Sequence, residues 1–113
     1  MAFTENPKNA YIQANRMIQG ELVKDVAGSA NHVLDAVEQE YACIIFTGAL
    51  TGNIDVVVDA APNGWQMQNA TTGAFTLTVK KSGGTGVAIT QGKKVDLRYS
   101  THAGDVVAFG PEV

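Results

Sequence analysis

The chain has 113 residues, a formal net charge of −3, 45% apolar residues and 17% charged ones. That is enough chain for one domain and too charge-poor for a disordered one. The acidic balance argues against a general nucleic-acid binder, which needs a surplus of Lys and Arg.

Residues 1–20 are polar, with Asn and Gln set around a few apolar side chains; Tyr11, Ile12, Met17 and Ile18 suit a short amphipathic turn, which Pro7 and Gly20 bracket closely. They read as an N-terminal arm that lacks partners in its own domain and is ordered by neighbouring subunits. Its candidate assembly contacts are Phe3, Tyr11, Ile12, Met17 and Ile18. The remainder, 21–113, reads as a single β-domain.

After Gly20 the apolar period becomes two. ELVKDV (21–26) and NHVLDAV (31–37) read as strands separated by a Gly28-Ser29 turn, and 37–41 as one helical turn. YACIIFT (41–47) is apolar on both faces, as a central strand is. IDVVVDA (54–60) puts Ile54, Val56 and Val58 on one face. Pro62-Asn63-Gly64 is a turn signal, and WQMQN (65–69) turns Trp65 and Met67 inward. AFTLTVKK (74–81) alternates cleanly, and Ser82 to Gly86 closes a hairpin into VAIT (87–90). KVDLRY (94–99) and DVVAF (105–109) complete about nine short strands.

This spacing predicts an all-β fold: a sandwich or small barrel of eight to nine antiparallel strands. No internal repeat of useful length is expected. The expected core is Val33, Ile44, Phe46, Leu50, Ile54, Val56, Val58, Trp65, Met67, Phe75, Leu77, Val79, Val87, Ile89, Val95, Leu97 and Val107. Val57 and Ala42 point away from it and suit a shared apolar surface.

Little in the chain looks like catalysis. His32 and His102 stand in unrelated settings, and the lone Cys43 sits in an apolar run, so neither a zinc site nor a disulfide is expected. Asp55 and Asp59 lie on one strand face, roughly 13 Å apart at strand rise, too far to act on one bond. SGGTG (82–86) lacks the Lys-Ser/Thr and helix of a phosphate loop. Asn69-Ala70-Thr71 is a formal glycosylation sequon, read as a loop. The N-terminus lacks the apolar core of an export signal, and the longest apolar run, Ala42 to Phe46, is too short to span a bilayer. No enzyme, cofactor, metal, nucleic-acid or membrane role is expected.

One ordered series of motifs carries a resemblance: GALT, N-I-x-V-x-V, a Trp-containing strand, N-x-T-T-G-x-F-T-L-T-V-K, G-T-G-V-x-I-x-Q-G-K and G-D-V-V, all within 48–107. With the lead-in from Val26, it resembles a recurrent β-module of tailed-phage virion proteins. The module often ends on Asp-Gly-Thr/Ser-x-Val-Val; here 101–107 read Thr-His-Ala-Gly-Asp-Val-Val. Every matching residue is a turn former or a core residue, so the pattern marks a fold and carries no chemistry.

The length and plan resemble the small decoration (cement) proteins of tailed phages. The resemblance implies a homotrimer on the outside of the capsid, touching the major capsid protein through its arms, on a virion made in the host bacterial cytoplasm. The alternative it leaves open is a short tail-fibre or head-fibre module for host receptor or glycan recognition. Tyr41, Tyr99 and Phe109 would then be the aromatic platforms.

Overall fold

The computed structural model describes residues 20–59 and 63–113. Its nine strands form two sheets. The first holds β1 (Glu21–Asp25), β3 (Cys43–Ala49), β5 (Asn63–Thr72), β8 (Lys94–Ser100) and β9 (Asp105–Ala108), in that order. The second holds β2 (His32–Val33), β4 (Ile54–Val57), β6 (Leu77–Lys80) and β7 (Val87–Ile89).

Up to β6 the chain alternates between the sheets. Each return to a sheet is therefore a full turn of chain that enters from the same end, and the neighbours run parallel. β1 pairs with β3, β3 with β5, β2 with β4 and β4 with β6, all parallel. Glu21 faces Cys43, Cys43 faces Gln66, His32 faces Val56 and Ile54 faces Leu77, so one rung of this coil spans 22 to 24 residues. Only β5 with β8, β6 with β7 and β8 with β9 are antiparallel.

The all-β expectation holds, and the expectation of antiparallel pairing throughout is corrected: the sheets are mixed. The structure also has a repeat where none was expected. The turn residues at 28–29 and 50–53 make corners between sheets, whereas true hairpins close β6–β7 and β8–β9. Gly28 and Leu50 stack as a parallel bridge at the corner.

Each corner ends on an asparagine that links rungs. Asn31 Oδ1 accepts from the backbone N–H of Asp55 at 2.9 Å, and Asn53 Oδ1 accepts from that of Thr76 at 2.9 Å. Asn31 and Asn53 are each the residue just before a strand of the second sheet.

Both sheets contribute to one buried cluster. Ile44, Phe46, Ile54, Val56, Val58, Met67, Leu77 and Val79 are all at 1% exposure or less. Four expected core residues move. Val33 lies on the outer side of β2 and is 67% exposed, while Leu34 is buried in its place. Phe75 falls in the turn after Gly73, ahead of β6, and is 39% exposed. Val106 is opposite Tyr99 and so faces inward, which leaves Val107 half-buried beside the exposed Arg98. Val87 is half-buried on a sheet edge. Val26 also joins the core.

Asp105, at the start of β9, clasps the two sheets together. Its carboxylate accepts from the N–H groups of Lys81, Thr85, Gly86 and Val106 at 2.7–3.2 Å. Three of these belong to the β6–β7 hairpin of the other sheet. Gly84 lets the carboxylate in, because a Cβ there would lie 2.5 Å from Asp105 Oδ1. Gly86, at φ +70°, would drive a Cβ into the Val79 carbonyl.

Partial burial raises the pKa of Asp105, but the amides of Gly86, Lys81, Val106 and Thr85 outweigh that and hold it below the ordinary carboxylate value. A depressed folded-state pKa means that the contribution is present above the unfolded value and is lost as pH falls through the folded one. The drop in denaturation midpoint between neutral and strongly acidic pH is therefore expected to be smaller in Asp105→Asn than in the parent. Equal drops in urea titrations at the two pH values would remove the clasp from the account.

Candidate assembly surface

Among the described residues, the first rung, residues 21–42, ends the coil on one side. β1 is an edge strand of the first sheet, and β2 is an edge strand of the second. In β2, Leu34 N–H donates to Val57 O, so by alternation Asn31 and Val33 turn their backbone groups to the other edge, which has no strand partner among the described residues. Unpaired strand edges are templates for another strand.

Side chains make this end distinct. Val23, Val33 and Val37 are 58%, 67% and 50% exposed, and all three belong to this rung. Val23 lies on the outer face of the first sheet and Val33 on that of the second, next to Val57 on β4. The rung also carries Glu21, Asp25, Asp35, Glu38 and Glu40 against the single base Lys24. Lys24 Nζ lies 2.7 Å from Glu38 Oε2, which fixes the connection between β2 and β3 onto β1.

The interior is less well covered here than in the next rung. Ile44, Phe46 and Val56 are fully enclosed, whereas their first-rung counterparts Leu22, Lys24 and His32 are half-buried. His32 Nε2 is buried and has no hydrogen-bond partner among the described residues. Gln39, 2% exposed, closes the far corner: its Nε2 donates to Leu34 O and Asp59 Oδ1, and its backbone carbonyl accepts from Trp65 Nε1 at 3.0 Å.

The five expected arm contacts, Phe3, Tyr11, Ile12, Met17 and Ile18, lie outside the described residues. Val57 and Ala42, expected to point away from the core, are both half-buried. Val57 does border the exposed Val33.

The residues weighed for catalysis are dispersed. His32 is on β2, and His102 is exposed in the β8–β9 turn. The Cys43 thiol is pushed up by burial and by Glu21, with Lys94 opposing, which makes it a poor nucleophile. Asp55 pairs with Lys80 at 3.1 Å, and Asp59 is engaged by Gln39. Among the described residues no three His, Cys, Asp or Glu side chains gather into a metal-sized cluster. No helix among them is long and apolar enough to cross a membrane. Asn69 of the sequon is inside β5 and 1% exposed, which corrects its assignment to a loop.

Of the three aromatic candidates, Tyr41 and Tyr99 pack against the core. Phe109 is 59% exposed. It borders a cavity of about 180 Å³ with Gln66, Lys94, Asp96, Pro111 and Val113. That is below the 300–1,000 Å³ or so of ordinary ligand pockets.

No protein-family model, curated protein or solved structure matches the chain.

Proposed function

We propose that the protein is a capsid decoration (cement) protein of a tailed phage, a β-sandwich module that binds the outside of the shell as a homotrimer and stabilises it. The first-rung end is the observation that carries this reading. Among the described residues it joins two unpaired strand edges, three exposed valines and a strongly acidic rim on one side of a small body. A module with such an end is built to be covered by protein.

The contact is of one end of the coil with a different surface of the next copy. Such heterologous contacts close into rings when the rotation fits, whereas edge-to-edge pairing of identical strands gives two-fold dimers. The reading takes three copies and assigns the N-terminal segment, with Phe3, Tyr11, Ile12, Met17 and Ile18, to the neighbour or to the major capsid protein. The virion setting comes from the motif resemblance. Such a protein works by mass action: it binds the assembled shell and not the dissociated one, and many modest contacts raise the disruption threshold together.

The test compares particles with and without the protein on heating. Particles lacking it are expected to release their genome at a lower temperature while adsorbing to host cells normally. Unchanged release with collapsed adsorption would overturn the reading in favour of receptor or glycan recognition. The exposed Phe109, flanked by Lys94, Asp96 and Gln66, is the feature that favours that second reading.

A further inference from the structure

The chain after β9 leaves the regular ladder and then rejoins it. Ala108 faces Leu97 of β8, and Val113 exchanges both backbone bonds with Lys94, so residues 109–112 stand opposite 95 and 96 alone. This is a bulge on a strand edge, a device that re-aims side chains. Its bends are built in: Gly110 takes φ +93°, and Pro111 fixes its own φ. Both sides of it are tied down. The Phe109 N–H donates to Asp96 O at 2.8 Å, and Glu112 Oε1 accepts the N–H of Thr90 at 2.7 Å.

The bulge holds Phe109 at 59% exposure. Asp96 pairs with Gln66 of β5, and it alternates with the buried Val95 and Leu97, so it faces outward. Lys94 is the next outward residue of β8. Phe109, Asp96, Gln66 and Lys94, with Pro111 and Val113, line the cavity of about 180 Å³. Among the described residues, none holds the side chain of Gln66, Lys94 or Asp96 in a hydrogen bond or ion pair.

The chemistry of this set narrows the ligand. Phe109 offers C–H groups the weakly negative face of its ring. Asp96 accepts hydrogen bonds, Lys94 donates them and the Gln66 amide does both. The charges of Asp96 and Lys94 oppose one another, so an ion of either sign meets a like charge. A wholly apolar ligand would strip water from three polar groups and return no hydrogen bonds. A neutral ring with C–H groups on its face and hydroxyls on its rim satisfies every lining group at once. The volume, about six waters' share of liquid, suits one such ring.

We propose that this cavity is a saccharide subsite that takes one neutral pyranose ring, stacked on Phe109, with Asp96 accepting from its hydroxyls and Lys94 and Gln66 donating to them. The braced bulge holds the platform in place before the sugar arrives, so little ordering cost falls on binding. One face and a few hydrogen bonds give a weak site, which many copies on one particle multiply. The cavity adjoins β8 and the tail, at the opposite side of the first sheet from β1, so covering the first-rung end leaves it open. The inference does not rest on the shell-binding reading.

The test is an amide-resolved NMR titration of the full chain with the methyl glycosides of glucose, galactose, mannose and N-acetylglucosamine, each taken to about 50 mM, well above a millimolar dissociation constant. At least one is expected to shift the amides of Asp96, Phe109 and Gly110 saturably. Phe109→Ala and Asp96→Ala are each expected to weaken that binding by about tenfold or more, while Phe109→Trp keeps it. The amide spectra of the variants, unchanged away from the bulge, report that they are folded. No shift with any of the four glycosides would overturn the proposal, as would shifts confined to other residues or undiminished binding by Phe109→Ala. Shifts of the same amides by sodium sulfate alone would make this an anion site and also overturn it. Heating of particles is a separate readout, so either reading can fail without the other.

Discussion

Phe46→Ala is expected to lose about 3–5 kcal/mol of stability, in keeping with buried Phe truncations generally. Phe46 is at 0% exposure in the middle of β3, which has β1 on one side and β5 on the other. Its aligned neighbours on those strands are Lys24 and Asn69, so no large apolar side chain flanks it within the sheet. Collapse around the missing ring would push a half-buried ammonium or a fully bonded amide into an apolar gap. The cavity should stay open, and the cost should sit near the upper end of the range. Small domains hold only about 5–15 kcal/mol in all. Phe46→Leu keeps most of the volume and should cost about 1.5 kcal/mol or less. Urea unfolding of the two variants is the check. A loss below about 1 kcal/mol for Phe46→Ala would mean that the ring is not a keystone of the core.

The strand inventory was legible because period-two patterning is a local signal. Ile54, Val56 and Val58, then Leu77 and Val79, alternate without interruption, and their inward faces are read directly. The pairing was not legible, for a physical reason. A Gly-Ser or Thr-Gly-Asn turn has the same composition whether it folds a strand back on its neighbour or carries it across to a second sheet. Only the register shows which, and register is set by the 22- to 24-residue rung. The rung is nearly invisible in composition because its inward positions change character: Leu22, Ile44 and Met67 align, but so do Lys24, Phe46 and Asn69. Val33 and Leu34 exchanged roles because two adjacent apolar residues fit either face. The first-rung end is not legible because an exposed valine in a strand looks like any other. The 22-residue spacing of Asn31 and Asn53 is the one sequence signal of the rung.

Asn69 decides how the two sheets stay in register. It lies in β5 at an inward position, between Met67 and Thr71, at 1% exposure. Its Nδ2 donates to the Ile89 carbonyl of β7 at 2.7 Å, which crosses from one sheet to the other. Its Oδ1 accepts from the N–H and the hydroxyl of Thr71 at 3.1 and 2.5 Å. An apolar replacement strips partners from the Ile89 carbonyl and the Thr71 amide at once, and each buried group left unpaired costs about 1–3 kcal/mol. Asn69→Leu is therefore expected to lose about 2–5 kcal/mol, despite its similar size and greater hydrophobicity. Asn69→Asp keeps the acceptor for Thr71 but turns a carboxylate toward a carbonyl. It should be rescued as acid protonates the side chain and restores a donor. The coupling to Thr71 is measurable: in the double variant with Thr71→Val, the two losses should fall short of adding, because the hydroxyl has already lost its acceptor. Strict additivity, or a stabilised Asn69→Leu, would show that the amide bridge is incidental to how the sheets are held.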